Sequence, residues 1–352
     1  MRTPELSGAA PRRPEIDLAK GVCILGVVLI HSQPLVGIAF HWCVVNRAVP
    51  VFIVLFGITS ELWWRARERH ATPLREWYAA RLLRLMIPLW GALALWWVAV
   101  AVSTAPTPIT IWRVLETVLG YLAPLRTGWF VTLILQLVLV FPALRWAVVR
   151  IGALPTLVAC ALIAAVSHTH TYQVIHLMRF VLLDRSTHPH ILDLFYFFWI
   201  FAPAYFVLVV AGIVLARRPS LLGTRPAVLA AAVFVAGVVA ARTLVPDAAL
   251  TPAFISLLDV PLTIALLGAM ASLDARRPSA RALAWWGTAS WGMYLGQMVI
   301  HDWLHLFALR PEEGAVALRW MYCAFLLLGA TGLVIVGERI RSRAARVLSP
   351  GQ

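Results

Sequence analysis

Glu15-Ile16-Asp17-Leu18-Ala19-Lys20-Gly21-Val22-Cys23-Ile24-Leu25-Gly26-Val27-Val28-Leu29-Ile30-His31-Ser32 reads as an apolar helix with charged groups at its start and an imidazole near its end. At ~100° and ~1.5 Å per residue, the eleven residues from Lys20 to His31 make ~3 turns and rise ~16 Å. Lys20 and His31 therefore share one face, and Asp17 falls within ~40° of it. A run of this length and apolarity suits a bilayer. An ionisable group inside a membrane helix is expensive and points to function. The stretch predicts a membrane helix with Lys20 at one surface and His31 deep in the span.

The rest of the chain agrees. Its 352 residues are 61% hydrophobic and only 13% charged, with a mean hydropathy of +0.82. Water-soluble domains are about 45–50% apolar and about 25% charged. The start is short and basic, and its first apolar run leads into a second rather than to a small-residue cleavage site, so no cleavable signal peptide is expected. Cys23, Cys43, Cys160 and Cys323 are scattered, with no Cys-x-x-Cys pair, which suggests neither a zinc site nor a disulfide framework.

Ten apolar runs of near-bilayer length can be drawn, at about 18–37, 48–64, 83–103, 129–148, 152–168, 193–215, 226–243, 253–272, 284–303 and 317–337. With the first residue in the cytoplasm, the inner segments hold 22 of the 30 basic residues and the outer ones 8. That asymmetry predicts both termini inside. It also accounts for the net charge of +14 as a topology signal, so no nucleic-acid partner is expected. The expected architecture is all-α: a polytopic membrane helix bundle of about ten transmembrane helices. A disordered cytoplasmic tail (1–14) precedes a single membrane domain (15–340), and a short cytoplasmic tail (341–352) follows. Long outer connections at about 104–128, 169–192 and 304–316 would shape an external mouth. The Ala- and Arg-rich, Lys-poor composition suits a GC-rich bacterial genome and thus a bacterial inner membrane.

Several polar residues lie where a membrane should exclude them. His31 is the side chain best suited to take and return a proton near neutral pH. Arg47 stands at the outer end of the second span, placed for an anion or sugar hydroxyl. Glu61, deep in the inner half, needs a partner, and Lys20 or Arg65 could serve. Its alternative is a purely structural pair. Arg81 and Arg84 share a helix face at the start of the third span and suit phosphate groups such as those of coenzyme A. Their alternative is a topology anchor. Trp129 opens the fourth span. Tyr294 and Gln297 fall in the ninth, where Gln297 must find a hydrogen-bond partner in the bundle interior. His301, Asp302 and His305 continue outward. The histidines His168, His170, His176, His188 and His190, with Asp193, lie in or beside an outer loop and match no metal-ligand spacing, so no metal is expected.

Taken in order, Asp-x-Ala-Lys-Gly…His (17–31), Arg-x-x-Val-Pro-x-Phe…Gly (from Arg47 to Gly57), Arg-x-x-Arg-x-x-x-Pro (81–88), Trp129-Phe130 and Ser290-x-x-x-Tyr294-Leu295 resemble the membrane acyltransferase-3 family. The resemblance runs from about residue 15 to 300. It implies movement of an acetyl or other acyl group onto a hydroxyl of a surface glycan, a lipid-linked sugar or a small natural product. It maps the family's basic residue and histidine onto Lys20 and His31, with Asp17 beside them as a catalytic candidate. Three positions depart from the usual pattern: Lys20 for arginine, Phe56 for the serine before Gly57, and Gln297 for the histidine after Tyr-Leu. The implied donor is acetyl-CoA or another acyl-CoA, as a co-substrate rather than a resident cofactor. Arg81 and Arg84 would hold it, and Arg47, Glu61, Trp129, Tyr294 and Gln297 would line the acceptor cavity. Besides the bilayer, the partners are that donor and an acceptor, first a surface polysaccharide and then a macrolide-like molecule. Export of a polysaccharide or small molecule is the rival reading, because some members are thought to export polymers.

Overall fold

The computed structural model describes residues 13–67, 74–102, 129–181, 202–244, 251–307, 309 and 311–348, with the backbone alone at Ala39, Trp42, Trp129, 168–181, 241–244, 251–257 and 344–348. Most of the expected N-terminal tail, the connection 104–128, and His188, His190 and Asp193 lie outside these residues.

Twelve helices are described: α1 Pro14–Ser32, α2 Ala39–Cys43, α3 Ala48–Arg65, α4 Leu74–Val102, α5 Trp129–Arg150, α6 Ala153–Val181, α7 Phe206–Arg217, α8 Thr224–Leu244, α9 Thr251–Ala271, α10 Pro278–Thr288, α11 Ser290–Leu306 and α12 Val316–Leu348. Short 3-10 turns occupy Val45–Arg47, Ala202–Tyr205, Pro219–Leu222 and Pro311–Glu313, and there is no strand among the described residues. All-α architecture is therefore as expected. Among the described residues, four helical stretches are long and apolar enough to cross a membrane: Val45–Arg65, Leu74–Val102, Phe130–Arg150 and Val316–Arg343. Ala153–Ser167, Ala202–Arg217, Thr224–Ala240 and Leu258–Ala271 are shorter apolar helices. Leu154, Val228, Leu229, Met321 and Leu328 are each about two-thirds exposed or more. Such bare apolar faces suit hydrocarbon, not water.

Several boundaries differ from the sequence reading. The first helix ends at Ser32, not 37, because Pro34 removes the right-handed helical option for Gln33. Gln33 instead takes a left-handed conformation (φ 52°), and its N–H donates to the Leu29 carbonyl at 2.9 Å. His31 consequently sits in the last turn of α1 rather than mid-helix. The third expected span is α4, which begins at Leu74, so Arg81 and Arg84 lie within it and not at its start. The fifth expected span is α6, which runs to Val181, so His168, His170 and His176 are helical rather than in a loop. The ninth expected span is two helices, broken at Ala289, where the Thr288 hydroxyl turns back to the Trp285 carbonyl at 2.8 Å.

The chain divides into two compact units, each discontinuous in sequence. The first comprises 1–16, 49–83 and 129–274. Its core centres on Trp77 and Phe141, stacked 4.9 Å apart. Pro142 interrupts α5 and cannot donate to the Val138 carbonyl. The Trp77 indole N–H takes that acceptor at 3.2 Å, which ties α4 to α5. Helices α3 and α7 cross backbone to backbone: a Cβ on Gly57 would stand 2.4 Å from the Val209 carbonyl oxygen, and one on Gly212 would stand 2.3 Å from that of Val54. Small residues at such crossings are how helices approach closely in membranes.

The second unit comprises 17–48, 84–128 and 275–352. Its core joins Val28 of α1 to Tyr322 and Leu326 of α12, with Ile300 and Leu304 of α11 packed alongside. The N-terminal half of α1 lies on α10 in a second backbone contact. A Cβ on Gly287 would fall 1.7 Å from the Asp17 carbonyl oxygen, and one on Gly21 would fall 2.1 Å from that of Leu283. No side-chain rotation relieves a clash with backbone. Gly287→Ala is therefore expected to cost ~3 kcal/mol, the upper end for overpacking. It should appear as a lower melting temperature and less monodisperse protein in detergent, and an unshifted melt would disprove this contact.

Candidate active site

The histidine of the opening stretch has a specific setting in the second unit. The His31 Nδ1 lies 2.8 Å from Oε1 of Gln297, a residue wholly buried on α11. An amide oxygen only accepts, so Nδ1 carries the hydrogen and the ring's lone pair is on Nε2. The same Gln297 presents a buried amide nitrogen with no hydrogen-bond partner among the described residues. A buried unpaired donor is uncommon and calls for an explanation. Gln297 therefore finds the interior partner its sequence position demanded, and that partner is His31.

Around this pair the rings form a line. His31 stacks on His301 with centroids 5.6 Å apart. The His301 Nδ1 is paired with the Tyr322 hydroxyl. His305 follows at 4.5 Å, and its Nε2 lies 2.8 Å from Oε1 of Glu312. Tyr294, Gln297, His301 and His305 are spaced by three and four residues, so α11 presents them along one face. Tyr294 is buried against Trp291, whose indole N–H donates to the Leu85 carbonyl at 3.0 Å and holds α11 to α4. Arg319 secures the end of α1, with its guanidinium donating to the Gly314 carbonyl at 2.8 Å and the Gln33 carbonyl at 3.4 Å. Arg47 closes the 3-10 turn that packs on α1, where a Cβ on Gly26 would meet Ala48 at 2.8 Å.

Asp17 and Lys20 are not brought to His31. They are half-buried at the other end of the same unbroken helix, so the ~16 Å rise between Lys20 and His31 stands. The group that orients the imidazole is Gln297 instead.

The first unit gathers arginines. Glu61 is fully buried, and its two oxygens are held by Arg145 Nε at 2.9 Å and Arg217 Nε at 2.7 Å. Lys20 and Arg65 had been the expected partners. Arg65 instead donates to the Ala216 carbonyl at 3.2 Å. Glu61 is thus paired within the protein, as its structural alternative required. Arg145 lies over Trp64, Arg81 over Trp77 and Arg67 over Trp63, at 5.1, 4.8 and 4.3 Å from the ring centroids. Arg81 also donates to the Thr59 carbonyl at 3.4 Å, whereas Arg84, one turn on, is exposed. Five guanidinium groups thus collect where the ends of α3, α5 and α7 meet the first turns of α4, with one carboxylate among them. Trp129 starts α5, but its side chain is not described.

A family model described as an acyltransferase domain matches residues 13–338. The chain belongs to the membrane acyltransferase-3 family. The match covers nearly the whole chain and both units, so membrane acyl transfer is the activity against which the site is read. No curated relative and no solved structure matches the chain. His301, Tyr322, Glu312, Arg145 and Arg217 had not been singled out for their roles here. The signal that was available for His301 is its spacing, one helical turn beyond Gln297 on the same face.

Proposed function

We propose that this acyltransferase moves an acetyl or similar acyl group from an acyl-CoA to a hydroxyl of a surface glycan or lipid-linked sugar, with His31 as general base. The observation that carries this reading is the Gln297 amide. Its oxygen fixes the ring so that Nε2 is the base, and its buried nitrogen remains to donate. A base held in one tautomer and a buried amide donor are the kinds of group that acyl transfer to a hydroxyl uses. The acceptor O–H gives its proton to Nε2, and its oxygen attacks the thioester carbonyl carbon. The negative charge that develops on the carbonyl oxygen is what a spare N–H such as that of Gln297 would offset. The intermediate then collapses, the C–S bond breaks, and the leaving thiolate recovers the proton from the imidazolium. The products are an ester and a free thiol.

The guanidinium cluster of the first unit suits the anionic part of the donor, with Arg81 contributing and Arg84 exposed nearby on the same helix. Its five members all belong to segments that the charge count assigns to the cytoplasm. Their convergence at one end of α3, α5 and α7 supports that assignment; ten crossings, cytoplasmic termini and a bacterial inner membrane belong to the same proposal. Arg47 and Tyr294 are the acceptor-side candidates in the second unit.

The test compares a deletion strain with its parent by mass spectrometry of surface glycans and secreted small molecules. The expected result is loss of one acyl group per modified unit, restored by the wild-type chain and not by His31→Ala. Products of unchanged mass that fail to reach the exterior would replace this reading with export.

A further inference from the structure

We propose that His301, His305 and Glu312 form a zinc site in the second unit. One ligand atom from each lies within 4.8 Å of the other two. The histidines are four residues apart on α11 and so share a face. Glu312 is brought to them by the 3-10 turn Pro311–Glu313, which Arg319 anchors through Gly314. The His305 and Glu312 side chains are only 14% and 11% exposed, so bulk water does not fill the space between them.

Two further observations point to a cation and not to a simple ion pair. The His305–Glu312 contact uses only Oε1, and Oε2 is buried with no hydrogen-bond partner among the described residues. His301 is held through Nδ1 by the Tyr322 hydroxyl, and Nε2 would be its ligand atom. Metal-bound histidines are oriented in this way by a partner on the other ring nitrogen. Two imidazoles and one carboxylate, with a fourth position open, is an established zinc donor set. Ligand bonds of ~2.0–2.2 Å place tetrahedral donors ~3.4 Å apart. The 2.8 Å between His305 and Glu312 would thus widen by about half an ångström on binding.

The experiment is independent of acyl transfer. The full chain, purified in detergent and stripped with a chelator, is titrated with Zn²⁺ against a chromophoric competitor. Co²⁺ serves as the spectroscopic probe. The expected result is about one ion per chain, with the intense visible absorption of tetrahedral Co²⁺. Binding should be lost in His305→Ala and Glu312→Gln, and Tyr322→Phe should weaken it by ~10–100-fold. Glu312→Gln and Tyr322→Phe keep the side-chain shapes, so they decide the matter if His305→Ala does not fold. Absence of uptake by the wild-type chain overturns the proposal. So does uptake that persists in Glu312→Gln, which would assign the ion to other histidines such as His188 and His190.

Discussion

His31→Ala is expected to lower incorporation of labelled acetyl groups into the membrane's own acceptor by ~10²–10⁴-fold, at unchanged protein abundance. Near-normal transfer would remove His31 from the chemistry. The two functions of Gln297 can then be separated. Glu in its place still accepts from the His31 Nδ1–H but offers no N–H₂ group, whereas Leu does neither. If the amide nitrogen serves the thioester oxygen, Gln297→Glu alone loses ~10²–10³-fold, the usual effect of deleting one such donor. If the amide only orients the ring, Gln297→Glu keeps most of its rate while Gln297→Leu loses it. Parallel thermal melts distinguish either result from unfolding.

The second large effect is structural and belongs to the first unit. Glu61→Leu leaves Arg145 and Arg217 facing one another without their shared carboxylate. Removing one side of a buried ion pair costs ~3–5 kcal/mol. The lower end applies here, because Arg217 is 31% exposed on its side chain and Arg145 also rests on Trp64. The loss should be read as a lower melting temperature and reduced yield in detergent. Adding Arg145→Met and Arg217→Met should restore much of it, since apolar replacement of a whole buried ionic group is often neutral or better. A Glu61→Leu variant as stable as the parent would show that the three groups contribute nothing to folding.

The apolar runs were legible because bilayer length and hydropathy are properties of consecutive residues. Pro50 in the first turn of α3 and the helix from Ala48 follow directly from that pattern. The stop at Ser32 was legible too, in Pro34, although the apolar run alone suggests a longer helix. The break at Ala289 was not. It lies two residues past Gly287, which meets the backbone at Asp17, and the sequence does not record what packs there from 270 residues upstream. Partners divide in the same way. A buried Gln297 announces that it needs a hydrogen bond, but the sequence cannot say that His31, 266 residues away, supplies it. Glu61 likewise demanded a cation, and the nearest in sequence were not those that the packing of α5 and α7 delivers.

Helix α12 is also a depth gauge. Between Arg319 and Glu338 it carries eighteen uncharged residues, Trp320 to Gly337, which span ~27 Å and so nearly match the ~30 Å of hydrocarbon. Tyr322, which holds His301 and through it marks the level of His31, is three residues from Arg319 and sixteen from Glu338. Along the axis those intervals are ~5 Å and ~24 Å. The imidazoles therefore lie near the Arg319 end of this apolar stretch, far from the basic end of α12. On the proposed reading, a thioester arriving at that basic end has most of this apolar length still to cross. On that reading the distance to be bridged falls on the donor, through a long extended arm or an intermediate carrier, and an acceptor hydroxyl would have only to dip below the opposite surface.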